Sequence, residues 1–423
     1  MAGPLPFDLL PDSAEIGVSG HLSIGGCDTL ALAEEFGTPL FVYDEAHLRD
    51  RCRRAANAWP GGAAYATKAF LCTAMARLAH EEGMHLDVAT GGELHVALHA
   101  GVPADRLVMH GNNKSEAELV MALEAGVGRI VVDSFDEMDR IERLVAEGHA
   151  PPRVLVRLTP GIEAHTHEFV QTGHDDTKFG FTVSTGAGEA AVRRAAASAA
   201  MDLVGTHVHI GSQVFSTDSL AAAARRVARL VAPFDLEELS MGGGLGVAYV
   251  EGERAPTIEE WAEAVLGACE AEGVTARVSA EPGRAIVASA AVTLYAAGTV
   301  KDIPGIRTYV AVDGGMSDNP RPVLYGSGYE TFLPRAVGAD RPMGIRLVGK
   351  HCESGDLLVR EGWVPEDLAV GDIVATPVTG AYGHTMGSNY NKVLRPAVVF
   401  VSGGDARLVV RRETFDDLVR LDV

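Results

Sequence analysis

The chain has 423 residues, 47% hydrophobic and 22% charged, the composition of a soluble globular protein with room for more than one core. A formal net charge of −21, with no arginine-rich block to offset it, sets strong repulsion against a nucleic-acid partner. The amino terminus lacks the basic and apolar regions of a signal peptide, and the longest weakly polar run, 285–300, is too short to span a bilayer. The expectation is a cytoplasmic protein with no membrane partner.

Five scattered cysteines, with no CxxC pair, argue against a disulfide framework and against a structural zinc site, and no metal is expected.

In chain order, PLFVYDEAHLRDRC reads as a strand and an opening helix. From Gly61 a regular beat follows, each short apolar strand ending in a polar or glycine-rich cluster before an alanine-rich helix. The strands are AAYAT (63–67), HLDVA (85–89), RLVMH (106–110), RIVVD (129–133), RVLVRL (153–158), LVGTHVHI (203–210), LEELSMGG (236–243) and ARVSAEP (276–282). Eight such units in series predict a (β/α)₈ TIM-type barrel over 33–288, with an open doubly wound sheet as the runner-up. Beyond Ala285 the texture turns to β-branched alternation with frequent glycine (TYVAVDGG, GIRLVGKH, DIVATP, AVVFVSGG). This predicts an all-β domain over 289–423, completed by the amino-terminal 1–32.

Chemistry in such barrels gathers at the carboxyl ends of the strands. Those ends carry Lys68, Asp87, His110, Asp133, Arg157, His209 with Ser212, Gly242–Gly243–Gly244, and Glu281 with Arg284. Singly, each residue reads as an ordinary hydrogen-bonded side chain; together, one at every strand, they read as a site. A lysine partly desolvated at a barrel mouth suits Schiff-base chemistry with an aldehyde. The glycines after the seventh strand would leave backbone N–H groups open in the usual barrel phosphate position. A reactive lysine and a phosphate cradle in one mouth suggest pyridoxal 5'-phosphate (PLP) rather than a sugar phosphate. Glu281 would then keep the pyridine nitrogen protonated.

The segments YATKAF, HLDVATGGEL, HGNNKS, TPGIEAHTHEFVQTG, HVHIGSQ, GGGLG, EPGRAIV, VDGGMSDNPRP, GKHCESGD and GAYGHTMGSNYN, in this order from about Thr38 to Asn391, resemble the diaminopimelate decarboxylases. These are alanine-racemase-like, fold-type III PLP enzymes, a group that also holds eukaryotic ornithine decarboxylase. HGNNKS and EAHTHEF look more like the diaminopimelate branch. The resemblance implies that Lys68 bonds covalently to PLP and that His209 stacks on its ring. It implies that Ser212 and Gly242–Gly244 hold the phosphate, that Glu281 bonds the ring nitrogen, and that Asp87, Gly283 and Arg284 complete the cofactor site. Arg284, Arg321 and Tyr325 would grip the distal carboxylate of the substrate. Cys352 and Glu353 would come from the neighbouring subunit of a homodimer, Cys352 as proton donor at Cα and Glu353 as reader of the distal ammonium. Tyr382 would touch both cofactor and substrate. In isolation, the CESGD loop reads as a plain turn.

One departure stands out: Gly383 and His384 follow the tyrosine of GAY, where many relatives carry cysteine. The activity implied is decarboxylation of meso-2,6-diaminopimelate to L-lysine and CO₂. Alternatives are a paralogous decarboxylase of ornithine, arginine or a related intermediate, a racemase on the same fold, and a non-catalytic regulatory homologue.

Overall fold

The computed structural model describes residues 2–161, 175–209 and 211–423. The EAHTHEF segment lies outside them. The chain divides into two compact units, one of residues 51–247 and 255–285, the other of residues 1–50, 248–254 and 286–423.

The first unit is the barrel. Its strands are Ala64–Ala66, His85–Val88, Leu107–Met109, Arg129–Val132, Arg153–Thr159, Asp202–Val208, Glu238–Ser240 and Arg277–Ser279. They pair in parallel in chain order. Closure is direct: the amides of Gly61, Ala64 and Ala66 donate to the carbonyls of Val278, Ala280 and Pro282 at 2.9, 2.9 and 3.1 Å. The open sheet is thereby excluded. An unforeseen short strand, Phe181–Thr182, runs parallel to the fifth.

Inside, alternate positions interdigitate, with Ala64, Val108, Val131, Leu155 and Val204 forming one buried cluster. Five of the helices between the strands begin on side-chain caps. Ser115 with Glu118 and Thr257 with Glu260 form reciprocal capping boxes, and Thr90, Ser134 and Ser216 each cap one helix. These caps satisfy orphan amides and fix where each strand-end side chain turns into the mouth.

The second unit is built on a mixed sheet. Strands Leu357–Val364, Met343–Val348, Arg307–Val312, Ala291–Ile303, Leu40–Asp44, Ala397–Ser402 and Asp405–Val410 lie in that spatial order, and Ile373–Pro377 pairs along Ala291–Ile303. A small antiparallel sheet of Glu15–Ile16, Leu22–Ile24 and Cys27–Asp28 accompanies it. Leu40–Asp44 lies deep in the mixed sheet, antiparallel to Ala291–Leu294 and parallel to Ala397–Val401. All five of its residues are buried, as a continuous apolar run covered on both faces must be. The compact units divide after Asp50 and after Ala285, beside the expected bounds of 33 and 288. None of the five cysteines forms a disulfide.

Candidate active site

Strand register builds the floor of the barrel mouth. His207, Ser240 and Ser279 face one another on the sixth, seventh and eighth strands. Two residues further on, and so on the same face, come His209, Gly242 and Glu281. Glu281 is buried, and both of its oxygens are engaged. His207 Nε2 lies 2.9 Å from Oε2, and Ser240 Oγ donates to Oε1 at 2.9 Å. His110 Nε2, from the third strand end, lies 3.3 Å from Oε1 and 3.7 Å from Asp87 Oδ1.

Burial alone would raise the pKa of Glu281, yet His110 and His207 hold the carboxyl well below its ordinary range. Burial would lower His110, but Asp87 and Glu281 on either side push it up. Burial takes His207 down to about 4 despite Glu281. Asp87 goes the other way, raised by burial and by Glu281 against the pull of His110 and Lys68. The mouth thus contains a buried carboxyl held low, an imidazole raised by a carboxyl on either side, and a second imidazole lowered by burial.

Lys68 lies in the tight turn Thr67–Ala69 that ends the first strand. The turn buries Thr67 and Ala69 and leaves Lys68 exposed, where partial desolvation had been expected. Its charge still reaches Asp87, Glu93 and His209. His209 is driven well below its usual value by burial, with Lys68 and Arg157 adding to the effect. Buried Arg284 donates to Ser212 Oγ at 3.1 Å. Asp133 accepts the Gly180 amide, and Arg157 stands 4.4 Å over the Phe179 ring.

The glycine cluster serves the barrel wall first. A Cβ on Gly242, Gly243 or Gly244 would lie 2.4, 2.5 or 2.8 Å from the carbonyl oxygens of Val208, Glu281 or Gly211. Two of the amides expected to be open are spent internally, Gly242 N–H on Ser240 Oγ at 3.3 Å and Gly243 N–H on His209 Nδ1 at 3.1 Å. Gly283 is required for the same reason, since a Cβ there would come 3.0 Å from the Ala66 carbonyl.

The remaining candidates belong to the second unit. Arg321 is buried, donates to the Tyr329 hydroxyl and stands 4.2 Å over the Tyr249 ring. Tyr325 is half-buried at the end of the same short helix, Arg321–Tyr325. Tyr382 is half-buried with φ +60°, a left-handed conformation that costs a non-glycine residue about 1–3 kcal/mol and is typical of functional loops. Cys352 and Glu353 are both exposed. The Cys352 amide donates to Asn391 Oδ1 at 3.1 Å, and the Tyr390 hydroxyl lies 3.5 Å from Glu353. The Gly383–His384 departure has a packing reason. His384 is buried, packed edge-on against Phe41 at 5.8 Å, and a Cβ on Gly383 would meet the Thr379 carbonyl at 3.1 Å and the Phe41 ring at 3.2 Å, a tight fit.

In the barrel mouth the sequence reading missed His207 and Ser240; elsewhere in the barrel it missed the buried pair Lys114–Glu137 at 2.7 Å, and in the second unit Tyr249 and Tyr329 beside Arg321. The spacing HVH carried a signal for His207, because residues two apart on a strand share a face. Nothing local marks Lys114, which also donates to the carbonyls of Gly111 and Val131.

Residues 45–288 match the family model described as "Pyridoxal-dependent decarboxylase, pyridoxal binding domain". The diaminopimelate decarboxylase of Mycobacterium tuberculosis is 50% identical over 426 residues, covering 96% of this chain and 95% of that one. That of Bacillus subtilis is 44% identical over 420 residues, with 96% and 95% covered. Among solved structures, the diaminopimelate decarboxylase of M. jannaschii in complex with L-lysine superposes with a TM-score of 0.89 at 30% identity, covering 97% and 98% of the two chains. A lysine/ornithine decarboxylase of Vibrio vulnificus, at 23% identity and a TM-score of 0.74, shares the fold. With a barrel closed on eight strands and near-full-length likeness at half identity, the chain belongs to the pyridoxal-dependent decarboxylases, and within them to the diaminopimelate decarboxylases.

Proposed function

We propose that the chain decarboxylates meso-2,6-diaminopimelate to L-lysine and CO₂ with PLP held in the barrel mouth, as a cytoplasmic enzyme of lysine biosynthesis. The observation that carries the reading is Glu281, buried and kept ionised at the barrel end that also presents Lys68. An anion of that kind suits a protonated pyridine nitrogen, and an exposed amine suits covalent attachment of an aldehyde, so the donor set fits the cofactor. Bound PLP supplies an electron sink for the pair left at Cα when CO₂ departs.

The chain's own residues do the rest. Lys68 would hold the cofactor through its amine and be released as the free amine when the substrate's amine takes its place. Glu281 would keep a proton on the ring nitrogen, with Asp87 linked to it through His110. His209 covers the ring face, and Ser212, Gly242, Gly243, Gly244, Gly283 and Arg284 surround the phosphate. Arg284, Arg321 and Tyr325 offer cationic and hydroxyl donors to the distal carboxylate, while Glu353 and Tyr382 take the distal ammonium and the near end. Cys352 delivers the proton to Cα. A substrate lacking a distal carboxylate would leave a buried arginine unsatisfied, which disfavours ornithine.

The test is incubation of purified protein with meso-diaminopimelate and PLP, lysine being measured, followed by borohydride reduction and peptide mapping. Lysine release with the pyridoxyl group on Lys68 is expected. Turnover of ornithine as fast as diaminopimelate would overturn the substrate, and labelling at another lysine would overturn the site.

The reading includes a homodimer in which Cys352 and Glu353 serve the neighbouring subunit's mouth. Lys68→Ala and Cys352→Ala proteins, each nearly inactive, should on mixing and subunit exchange regain about a quarter of full activity, because random pairing makes half the dimers mixed with one intact site each. No recovery after verified exchange would sink shared sites.

A further inference from the structure

We propose that His207 and Ser240 are positioning residues that hold the Glu281 carboxylate in one orientation for the cofactor's ring nitrogen. The proposal rests on the functional reading above and deepens it.

The geometry assigns one donor to each carboxylate oxygen. The Ser240 hydroxyl accepts the Gly242 amide at 3.3 Å, which leaves its single proton for Glu281 Oε1 at 2.9 Å. His207 presents Nε2 to Oε2 at 2.9 Å, while its buried Nδ1 has no hydrogen-bond partner among the described residues. A bare lone pair in that position costs far less than an unsatisfied N–H, so the ring is the Nε2–H tautomer and donates to Glu281. The His207 ring stands edge-on to His110, centroids 4.9 Å apart at 71°, which holds both imidazoles. Glu281 therefore cannot rotate without abandoning a donor, and each oxygen keeps unused acceptor capacity for a third group.

This arrangement follows from register. His207 and Ser240 are direct partners on neighbouring strands, and Glu281 lies two residues beyond Ser240's own partner, Ser279. The row beneath the cofactor-facing row thus supplies the donors, and preorganised donors of this kind are what an electrostatic partner needs. The other ionisable groups acting on Glu281 or sensing it are Asp87, His110, Arg157 and His209, from the second, third, fifth and sixth strands.

The experiment compares wild type, His207→Leu, His207→Gln and Ser240→Ala as full-length holoproteins. The readouts are the PLP dissociation constant, thermal stability with PLP removed, and the acid limb of kcat/KM against pH. Loss of a hydrogen bond to a charged group predicts PLP affinity weaker by about tenfold or more for His207→Leu. The acid limb should move to higher pH, because a carboxylate with fewer donors takes up its proton sooner. His207→Gln, whose amide can donate to Oε2, should recover most of both changes. Ser240→Ala should show the same signs more weakly, and it carries the test if His207→Leu does not fold.

A His207→Leu protein with unchanged PLP affinity and acid limb overturns the proposal. So does a His207→Gln protein no better than the leucine variant, since that marks a packing role. Should the wild type itself bind no PLP, the functional reading falls first. Wild-type binding with indifferent variants removes only the positioning role.

Discussion

Glu281 concentrates the chemistry of the barrel mouth in one side chain. A carboxylate taken out of water favours its neutral form, and here two imidazoles and a hydroxyl reverse that preference. Glu281→Gln keeps the size but loses the charge, and its single amide oxygen can accept from only one of the two donors, Ser240 and His207. The variant is expected to retain PLP while its kcat falls about 10²-fold or more, the scale of losing one preorganised electrostatic partner. Cofactor content from the visible spectrum and kcat from lysine release check it; a near-wild-type rate would assign the carboxylate another job. Lys68 makes the contrasting case: its two neighbours in the turn are buried in the wall while it stays exposed.

Between strands and helices, the buried pair Lys114–Glu137 ties consecutive units together. Lys114 follows the third strand, donates to the carbonyls of Gly111 and Val131, and forms an ion pair with Glu137 at 2.7 Å. Glu137, in the helix Phe135–Ala146, accepts the Asp133 amide at 2.9 Å. The two side chains are 0% and 2% exposed, so neither can fall back on water if its partner is removed. Lys114→Met should cost about 3–5 kcal/mol of stability by stranding a buried carboxylate. Adding Glu137→Leu to it should restore part of the loss, because replacing both members of such a pair by apolar groups is often close to neutral. Urea unfolding of the three proteins decides; a single variant as stable as wild type would show that Glu137 simply takes up a proton.

At the scale of the molecule, acid response follows from histidines kept neutral by burial. His85 in the barrel unit and His384 in the second unit are both lowered to about 4, burial being the larger cause in each, with nearby arginines adding to it. An unfolded chain protonates both near 6.5. The native state binds fewer protons between these values, so stability is lost as pH falls from about 6.5 toward 4. Each group contributes about 1.4 kcal/mol per pH unit across that window. His110, shifted the opposite way, adds stability that is complete below about 6.5 and fades as pH rises past its native value. The apparent Tm should therefore be lower at pH 5.5 than at pH 7.5, and His384→Phe should flatten the decline. An unchanged slope in that variant would mean that His384 does not titrate on unfolding. Among the described residues no helix is long and apolar enough to cross a membrane, so nothing of that kind complicates the measurement.

What the sequence by itself determined is local and periodic. Each barrel strand is a short apolar run closed by a polar cluster, so the eight strands were legible, and Lys68, Asp87, His110, Asp133, Arg157, His209 and Glu281 could be read at or beside their ends. Other features depend on partners far away in the chain. Barrel closure rests on bonds between residues 61–66 and 278–282. Leu40–Asp44 looks like any leading strand until its neighbours, some 250 and 360 residues on, claim it for the second sheet. The glycines after the seventh strand read as a phosphate cradle, yet close approach of three carbonyls already demands them. His207 reads as one histidine in a strand, and only the 74-residue jump to Glu281 makes it a donor. Propensity and periodicity act within a few residues, whereas hydrogen-bond partners, charge states and steric limits are set by whatever packing brings alongside.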